Sequence, residues 1–286
     1  FFCQAEDGIR DVERSRGLGD VYKRQNELCS CVNLPGTIPY IFDIILKPKI
    51  LYEVGILATI LKEFSKRNIP LFQVRTFILP HTGEFRVVIV ADIKGGENTA
   101  KELVREISSF EFTKSVNYAE PLFDGFALDL WSFPPILIGE RAIILRKSFY
   151  EGFIKEGWRH LGEGWGSILY HVGLYGGINV YDKYFDLTKN KQMLLRLLEE
   201  MGRIVGFGVF KIVSISENKI VLRIYDCFEC QLLKDIGVKM SSFLKGVLVG
   251  WFSRYWNIDP QKIVATERKC MARGDPYCEY IIEKRQ

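Results

Sequence analysis

The order of apolar runs between residues 40 and 121 is the feature that most limits what this chain can fold into. Short apolar runs typical of strands alternate with two segments whose apolar residues recur every three or four positions, as on one face of a helix. The strand-like runs are YIFDIIL, PLFQVRTFIL, EFRVVIVADI and EFTKSVNYAEP, and the helical patterns cover 51–68 and 98–108. The resulting order, strand-helix-strand-strand-helix-strand, predicts an α+β domain.

Residues 40–130 resemble an ACT-type regulatory domain, which has a ferredoxin-like βαββαβ fold. The sequence KPKILYEVGILATIL stands where such domains have the loop between their first strand and first helix. Many ACT domains have a glycine in that loop, which lets the backbone approach a bound amino acid. Lys49 takes that position here, so an α+β domain that only docks or dimerises stays open beside an effector-binding one.

The pattern changes at residues 131–142, WSFPPILIGERA, whose two prolines are typical of a linker. Residues 143–286 are predicted to form a second, mixed α/β domain. Its pattern predicts, in order, helices at 146–160, 166–185 and 190–205, a hairpin around 217–218, a strongly apolar helix at 239–256, and two strands at 262–270 and 277–284.

Composition narrows the class of protein. The 39 basic and 35 acidic residues leave a net charge of +4, without the Lys/Arg runs that follow phosphates, so no direct nucleic-acid-binding element is visible. No run of roughly 18 apolar residues predicts a membrane span. Three histidines leave little for acid–base catalysis, and no nucleotide-cofactor motif is evident. We therefore favour a binding protein over an enzyme.

Residues 1–25 resemble the in-frame translation of sequencing-library adapters. DVYKRQ back-translates to the end sequence attached by transposase-based kits, and QAEDGIRD to the outer adapter of the same design. We therefore exclude residues 1–25 from the fold prediction as an artefact. Residues 26–39 are kept as native sequence of uncertain structure.

Cysteines cluster near the end of the chain, in the segments CFEC and TERKCMARGDPYCEYII. Such sparse placement favours a cytoplasmic protein with a metal or free thiols over a disulfide scaffold. A hairpin around the Gly-Asp-Pro turn would bring Cys278 opposite Cys270. Glu267, three residues before Cys270, points to the other face of a regular strand, so a bulge is needed to turn both to one ion.

Residues 140–285 resemble the 4-vinyl reductase domain, a small-molecule-binding module. The resemblance rests on GWGSILYHVGLYGG, YDCFECQLL, FLKGVLVGWF and above all the closing TERKCMARGDPYCEYII. Related domains occur in regulators that sense aromatic effectors, in a bacteriochlorophyll-pathway protein and, as a shared fold, in vesicle-tethering particle subunits. In the aromatic-sensing relatives a cysteine near the start of the apolar helix completes a metal site, whereas Ser241 or Ser242 stands there in this chain.

A zinc site then depends on the CFEC pair. Tetrahedral zinc takes about four thiolate, imidazole or carboxylate ligands. Four thiolates with Glu267 as a substitute or a hydrogen-bonding neighbour would suffice. Buried free thiols and a disulfide remain the alternatives. The candidate metal residues are Cys227, Cys230, Glu267, Cys270 and Cys278.

Side chains on two predicted helices are candidates for binding the small molecule. A histidine on the glycine-rich helix could bond a polar atom of a ligand, and aromatic rings could wall an apolar pocket. The alternative is a helix packed closely at its glycines, with the aromatic residues as ordinary core. The candidate ligand-binding residues are Trp165, Tyr170, His171, Tyr175, Trp251 and Tyr255.

Together these patterns predict a homodimeric regulatory protein that senses or binds a small apolar or aromatic molecule and that could hold a structural zinc. One alternative is an enzyme or assembly factor related to tetrapyrrole vinyl reduction. The other is a dimeric assembly module that turns over no small molecule.

Overall fold

A computed structural model of the chain describes residues 31–48, 53–79 and 82–285. The adapter-like residues 1–25, most of the uncertain segment that follows them, and Lys49 lie outside the described residues. The chain divides into two compact units between Ile143 and Ile144. Of the helices described, none has both the length and the apolar character needed to cross a membrane.

The first unit has the predicted order of elements. Strands β2, β3, β4 and β5 form one antiparallel sheet in the order β3-β4-β2-β5, which is ferredoxin-like, so the predicted fold class is confirmed. The elements are β1 (Cys31–Asn33), β2 (Pro39–Leu46), α1 (Ile56–Ser65), β3 (Leu71–Ile78), β4 (Phe85–Asp92), α2 (Gly96–Ser108), β5 (Thr113–Ala119), β6 (Phe126–Leu128), β7 (Ile136–Leu137) and β8 (Glu140–Arg141).

Both helices of this unit cover one face of the sheet. Ile60 and Phe64 of α1 and Leu103 and Ile107 of α2 are fully buried in that core. The helix predicted from residue 51 begins only at Ile56, because Gly55 has a φ of 97°, outside helical geometry.

The opposite face of the sheet is covered by β1 and β6, which pair with each other. A buried ionic network lies on the same strands. The Arg86 guanidinium bonds Asp43 and Ser132 and reaches Asp129 at 3.3 Å, while Arg75 reaches Asp129 at 3.6 Å. Two arginines thus balance two aspartates, as burial of charge requires.

Removing one charge of this network should destabilise the protein strongly. We expect Asp129→Asn to lower the free energy of unfolding by about 3–5 kcal/mol, because two buried arginines lose a partner. Glu97→Gln is the control: its exposed ion pair with Lys101 should contribute at most about 1 kcal/mol. Urea denaturation followed by circular dichroism measures both, and equal losses would contradict the interpretation.

The second unit places its helices on one side of a four-stranded antiparallel sheet of order β11-β12-β10-β9. Phe210, Leu222 and Tyr280 alternate toward the buried side. The elements are α3 (Lys147–Leu161), α4 (Glu163–Thr188), α5 (Lys191–Ile204), β9 (Val209–Ile215), β10 (Lys219–Tyr225), α6 (Phe228–Lys234), α7 (Ser242–Trp256), β11 (Ile263–Lys269) and β12 (Cys278–Lys284), with 3-10 turns at Pro260–Lys262 and Met271–Arg273.

Helices α4 and α7 cross with their backbones in contact, at Gly173 and Gly177 of α4 and Gly246 and Gly250 of α7. A Cβ added to Gly177 would lie 2.2 Å from the Val247 carbonyl oxygen, and one added to Gly250 would lie 2.0 Å from that of Leu174. Each glycine is therefore required by the partner backbone. Close packing thus accounts for these glycines, which was one of the two interpretations of the sequence.

The crossing predicts opposite effects for adjacent glycines. Gly177→Ala should destabilise the second unit by about 1–3 kcal/mol or more, because backbone atoms cannot move aside as a side chain can. Gly176→Ala should be neutral or stabilising by up to about 1 kcal/mol, since no atom lies within 4 Å of its added Cβ. Thermal unfolding of the two variants compares them directly, and a stable Gly177→Ala protein would contradict the packing argument.

Candidate metal centre and apolar cavity

Three thiols and a carboxylate converge between α6 and the last two strands. One ligand atom from each of Cys230, Glu267, Cys270 and Cys278 lies within 4.8 Å of the others. We call this set the thiol–carboxylate cluster. Its three cysteines are fully buried. The cluster joins a residue of α6 to three residues contributed by β11, the turn after it and the start of β12.

An irregularity in β11 brings Glu267 and Cys270 to the same side. The pairing with β12 shifts register between Glu267, opposite Tyr280, and Lys269, opposite Glu279. One extra residue in the strand cancels the alternation that would otherwise separate residues three apart. The bulge required by the sequence argument is present.

The turn after β11 positions the remaining thiol. Asp275 accepts a hydrogen bond from the Cys270 backbone N–H at 2.8 Å, and Gly274 takes a φ of 97° that favours glycine. The Met271 N–H points at Cys278 Sγ at 3.4 Å, a contact that stabilises a thiolate. The sequence Cys-x-x-x-Gly-Asp therefore folds a tight hairpin with both thiols on one side.

The dimensions of the cluster fit a tetrahedral zinc ion. Cys230 Sγ lies 3.7 Å from Cys270 Sγ and 3.4 Å from Cys278 Sγ. Zinc–sulfur bonds of about 2.3 Å in a tetrahedron separate the sulfurs by about 3.8 Å. Among the described residues, nothing donates a hydrogen bond to either buried carboxylate oxygen of Glu267. A cation would satisfy both the orphaned carboxylate and the crowded thiols.

Ionisation in and near the cluster is strongly perturbed. Burial, followed by the nearby Cys270, raises the pKa of Glu267 to about 8. Hydrogen bonding from Cys230, then from Cys278, lowers the pKa of the Cys227 thiol to about 6. Cys227 is fully buried at the start of α6 but is outside the four-residue cluster. The structure therefore brings four of the five predicted metal residues into one cluster, with Cys227 beside it.

A buried glutamate that the sequence argument did not single out lies next to the cluster. The Glu229 carboxylate accepts hydrogen bonds from Ser241 Oγ and, at 3.3 Å, from the Leu244 N–H. Burial raises the pKa of Glu229 to about 7, against the opposing effect of the Ser241 bond. Ser241, at the position of the relatives' cysteine, caps α7 instead. The position of Glu229 inside the CFEC motif was the available signal.

An apolar cavity of about 250 Å³ lies between α4, α5, α7 and the start of the sheet. None of the described residues that line it carries a charge. We call it the apolar cavity. Its lining comprises Gly176, Val180, Tyr184, Leu198, Met201, Gly202, Val205, Phe207, Phe210, Phe243, Leu244, Val247 and Trp251.

Of the six candidate ligand-binding residues, Trp251 lines the apolar cavity and the other five lie elsewhere. His171 and Tyr175 are exposed, because the glycine face of α4 is turned toward α7. Tyr170 contacts Gly246 through its carbonyl. The remaining two pack in ordinary aromatic contacts: Trp165 with Phe153 at 5.0 Å and Tyr255 with Phe252 at 6.0 Å.

The α5 side of the apolar cavity was missed from the sequence. Leu198, Met201 and Val205 recur at helical spacing, and Phe207 and Phe210 follow in GFGVF. That spacing marks an apolar helix face, but it does not tell a cavity wall from solid core.

The family model of the 4-vinyl reductase domain matches residues 220–284, which include the whole cluster and α7. This match confirms the resemblance to that domain in the C-terminal region. An uncharacterised protein of Methanocaldococcus jannaschii is 27% identical over 117 residues, 41% of this chain and 64% of the relative. The chain thus spans slightly less than two thirds of that relative.

Two solved structures resemble separate parts of the chain. One is a trafficking protein particle complex subunit 3 from Naegleria fowleri, covalently bound to palmitic acid; it is 11% identical with a TM-score of 0.38, covering 49% of this chain and 93% of its own. The other is the ACT domain of a GTP pyrophosphokinase of Chlorobium tepidum; it is 12% identical with a TM-score of 0.24, covering 29% of this chain and 99% of its own.

Single substitutions should separate ligands from bystanders. We expect Cys230→Ser, Cys270→Ser and Cys278→Ser each to abolish stoichiometric zinc, since each removes a ligand from the cluster. Cys227→Ser should retain zinc, and Cys31→Ser, in the first unit, is the control. Elemental analysis after purification without chelators measures the content. A wild-type protein that folds stably without metal would contradict the zinc interpretation.

Proposed function

We propose that this protein binds a small, uncharged apolar or aromatic molecule in the apolar cavity and uses that binding to regulate a partner process. The observation that carries the proposal is the cavity itself, whose walls are apolar and include Phe207, Phe210, Phe243 and Trp251. Such walls give binding energy by removing apolar surface from water.

The lining supports a limited class of ligand. A charged molecule would lose its hydration without gaining a counter-ion from the lining, at a cost of several kcal/mol. The volume of about 250 Å³ suits a molecule smaller than a typical drug-sized ligand. Aromatic rings on several walls favour a planar aromatic ligand, which they can meet edge-on or face-on.

We propose a structural role for zinc in the thiol–carboxylate cluster. The cluster supplies four protein ligands, and sites of that kind stabilise a fold, whereas catalytic sites keep a position open for water. Bound there, zinc would link α6 to the hairpin of β11 and β12. The proposed metal therefore supports the binding site and takes no part in turnover.

We further propose a division of labour between two domains, at residues 40–130 and 143–286, joined by the linker at 131–142. The first has a ferredoxin-like sheet and would dimerise or transmit the signal; the second would bind the molecule. In this scheme the protein is a homodimer, and it is a sensor rather than an enzyme.

A cavity-filling substitution tests the binding proposal. The neutral fluorophore phenylnaphthylamine should bind wild-type protein with enhanced fluorescence, and Gly176→Phe should weaken binding at least about tenfold, since its side chain enters the apolar cavity. Gly164→Phe is the matched control, because Gly164 also has open space in α4 but does not line the cavity. Equal binding to both variants would contradict the proposal. Native mass spectrometry of the purified protein would identify a retained ligand.

A further inference from the structure

The Glu229 side chain connects the helix that supplies Cys230 to the wall of the apolar cavity. Glu229 is fully buried and precedes Cys230 in α6. Its Oε2 accepts hydrogen bonds from Ser241 Oγ and from the Leu244 N–H. Leu244 lines the cavity, so one carboxylate separates a cluster residue from a cavity residue.

The contact involves the whole first turn of α7. Ser241 Oγ itself accepts from the Leu244 N–H at 3.2 Å, and Phe243, between them in sequence, also lines the cavity. A carboxylate at a helix N-terminus is favoured by the unpaired N–H groups there. The position of this turn therefore depends on where α6 holds the Glu229 carboxylate.

A second contact joins α6 to another wall. The Phe228 N–H donates to the Phe207 carbonyl at 3.1 Å, and Phe207 lines the cavity and stacks on Phe243 at 5.5 Å. The two contacts lie on successive residues of a seven-residue helix. A displacement of α6 would thus move both walls together.

Glu229 has little freedom to re-form its bonds elsewhere. Its Oε1 is buried and meets no hydrogen-bond donor among the described residues. A buried carboxylate with one satisfied oxygen depends strongly on the bonds that it keeps. The hydrogen-bonded arrangement of α6 and α7 is accordingly a defined state rather than one of many.

We propose that Glu229 is a positioning residue that couples the metal centre to the apolar cavity. A molecule that fills the cavity holds the first turn of α7 and Phe207 in place, and through Glu229 it keeps Cys230 in the thiol–carboxylate cluster. By thermodynamic linkage, bound metal raises the affinity for the molecule by the same factor. This inference rests on the proposed function and adds regulation of cavity binding by metal.

The test uses zinc-loaded wild-type protein and measures the rate of zinc transfer to a chromophoric chelator, with and without saturating phenylnaphthylamine. The fluorophore should slow the transfer by about fivefold or more, the lower end of typical coupling between sites. Its effect should disappear in Glu229→Gln, which keeps the side-chain shape but removes the charge, and in Ser241→Ala.

Glu199→Gln is the matched control. Glu199 is a carboxylate in the same unit that accepts a backbone N–H, from Ile212 at 2.6 Å, and it makes no such bond to α6 or α7. The effect of the fluorophore on zinc transfer should persist in this variant. Circular dichroism checks that each variant is folded, and Ser241→Ala serves if Glu229→Gln is not.

The outcomes separate this inference from the function beneath it. Wild-type protein that binds both zinc and fluorophore but releases zinc at the same rate with and without fluorophore overturns the coupling and leaves the proposed function standing. An undiminished effect in both Glu229→Gln and Ser241→Ala overturns the role of Glu229. Wild-type protein that binds neither overturns the proposed function, and the inference with it.

Discussion

Direct contact between the backbones of α4 and α7 is the constraint on which the second unit depends. Because no side chain separates the helices at Gly173, Gly177, Gly246 and Gly250, their distance and rotation are fixed by main-chain atoms. The crossing sets two walls of the apolar cavity and places the first turn of α7 beside α6. It also turns His171 and Tyr175 outward, away from the cavity.

The two units solve the problem of buried charge differently. In the first, Arg75 and Arg86 balance Asp43 and Asp129, so the network is neutral by itself. In the second, the groups of the thiol–carboxylate cluster all become negative on losing a proton. Such a set is stable when its groups hold their protons or when a cation is added. The first network is a structural device, and the second is suited to bind an ion.

Periodicity in the sequence was enough to predict the architecture of both units, because each long element has one buried face. The closing hairpin and its two thiols were predictable from the Gly-Asp-Pro turn. The choice of Cys230 over Cys227 was not, since it depends on how α6 rotates against the hairpin. Glu229 and the α5 side of the cavity were also missed, because their roles come from residues distant in sequence. Likewise, the three-residue strands β1 and β6 are too short to show periodicity.

The bulge in β11 bears on how relatives of this chain are to be recognised. The Glu-x-x-Cys spacing presents two ligands to one side only because the strand contains an extra residue near Arg268. On a regular strand, Glu-x-Cys would present the same two side chains in the same direction. Loss of a single codon there could therefore leave the chemistry intact while erasing the motif. A search that requires the longer spacing selects for a backbone irregularity as well as for the ligands, and it would pass over chains that hold the ion equally well.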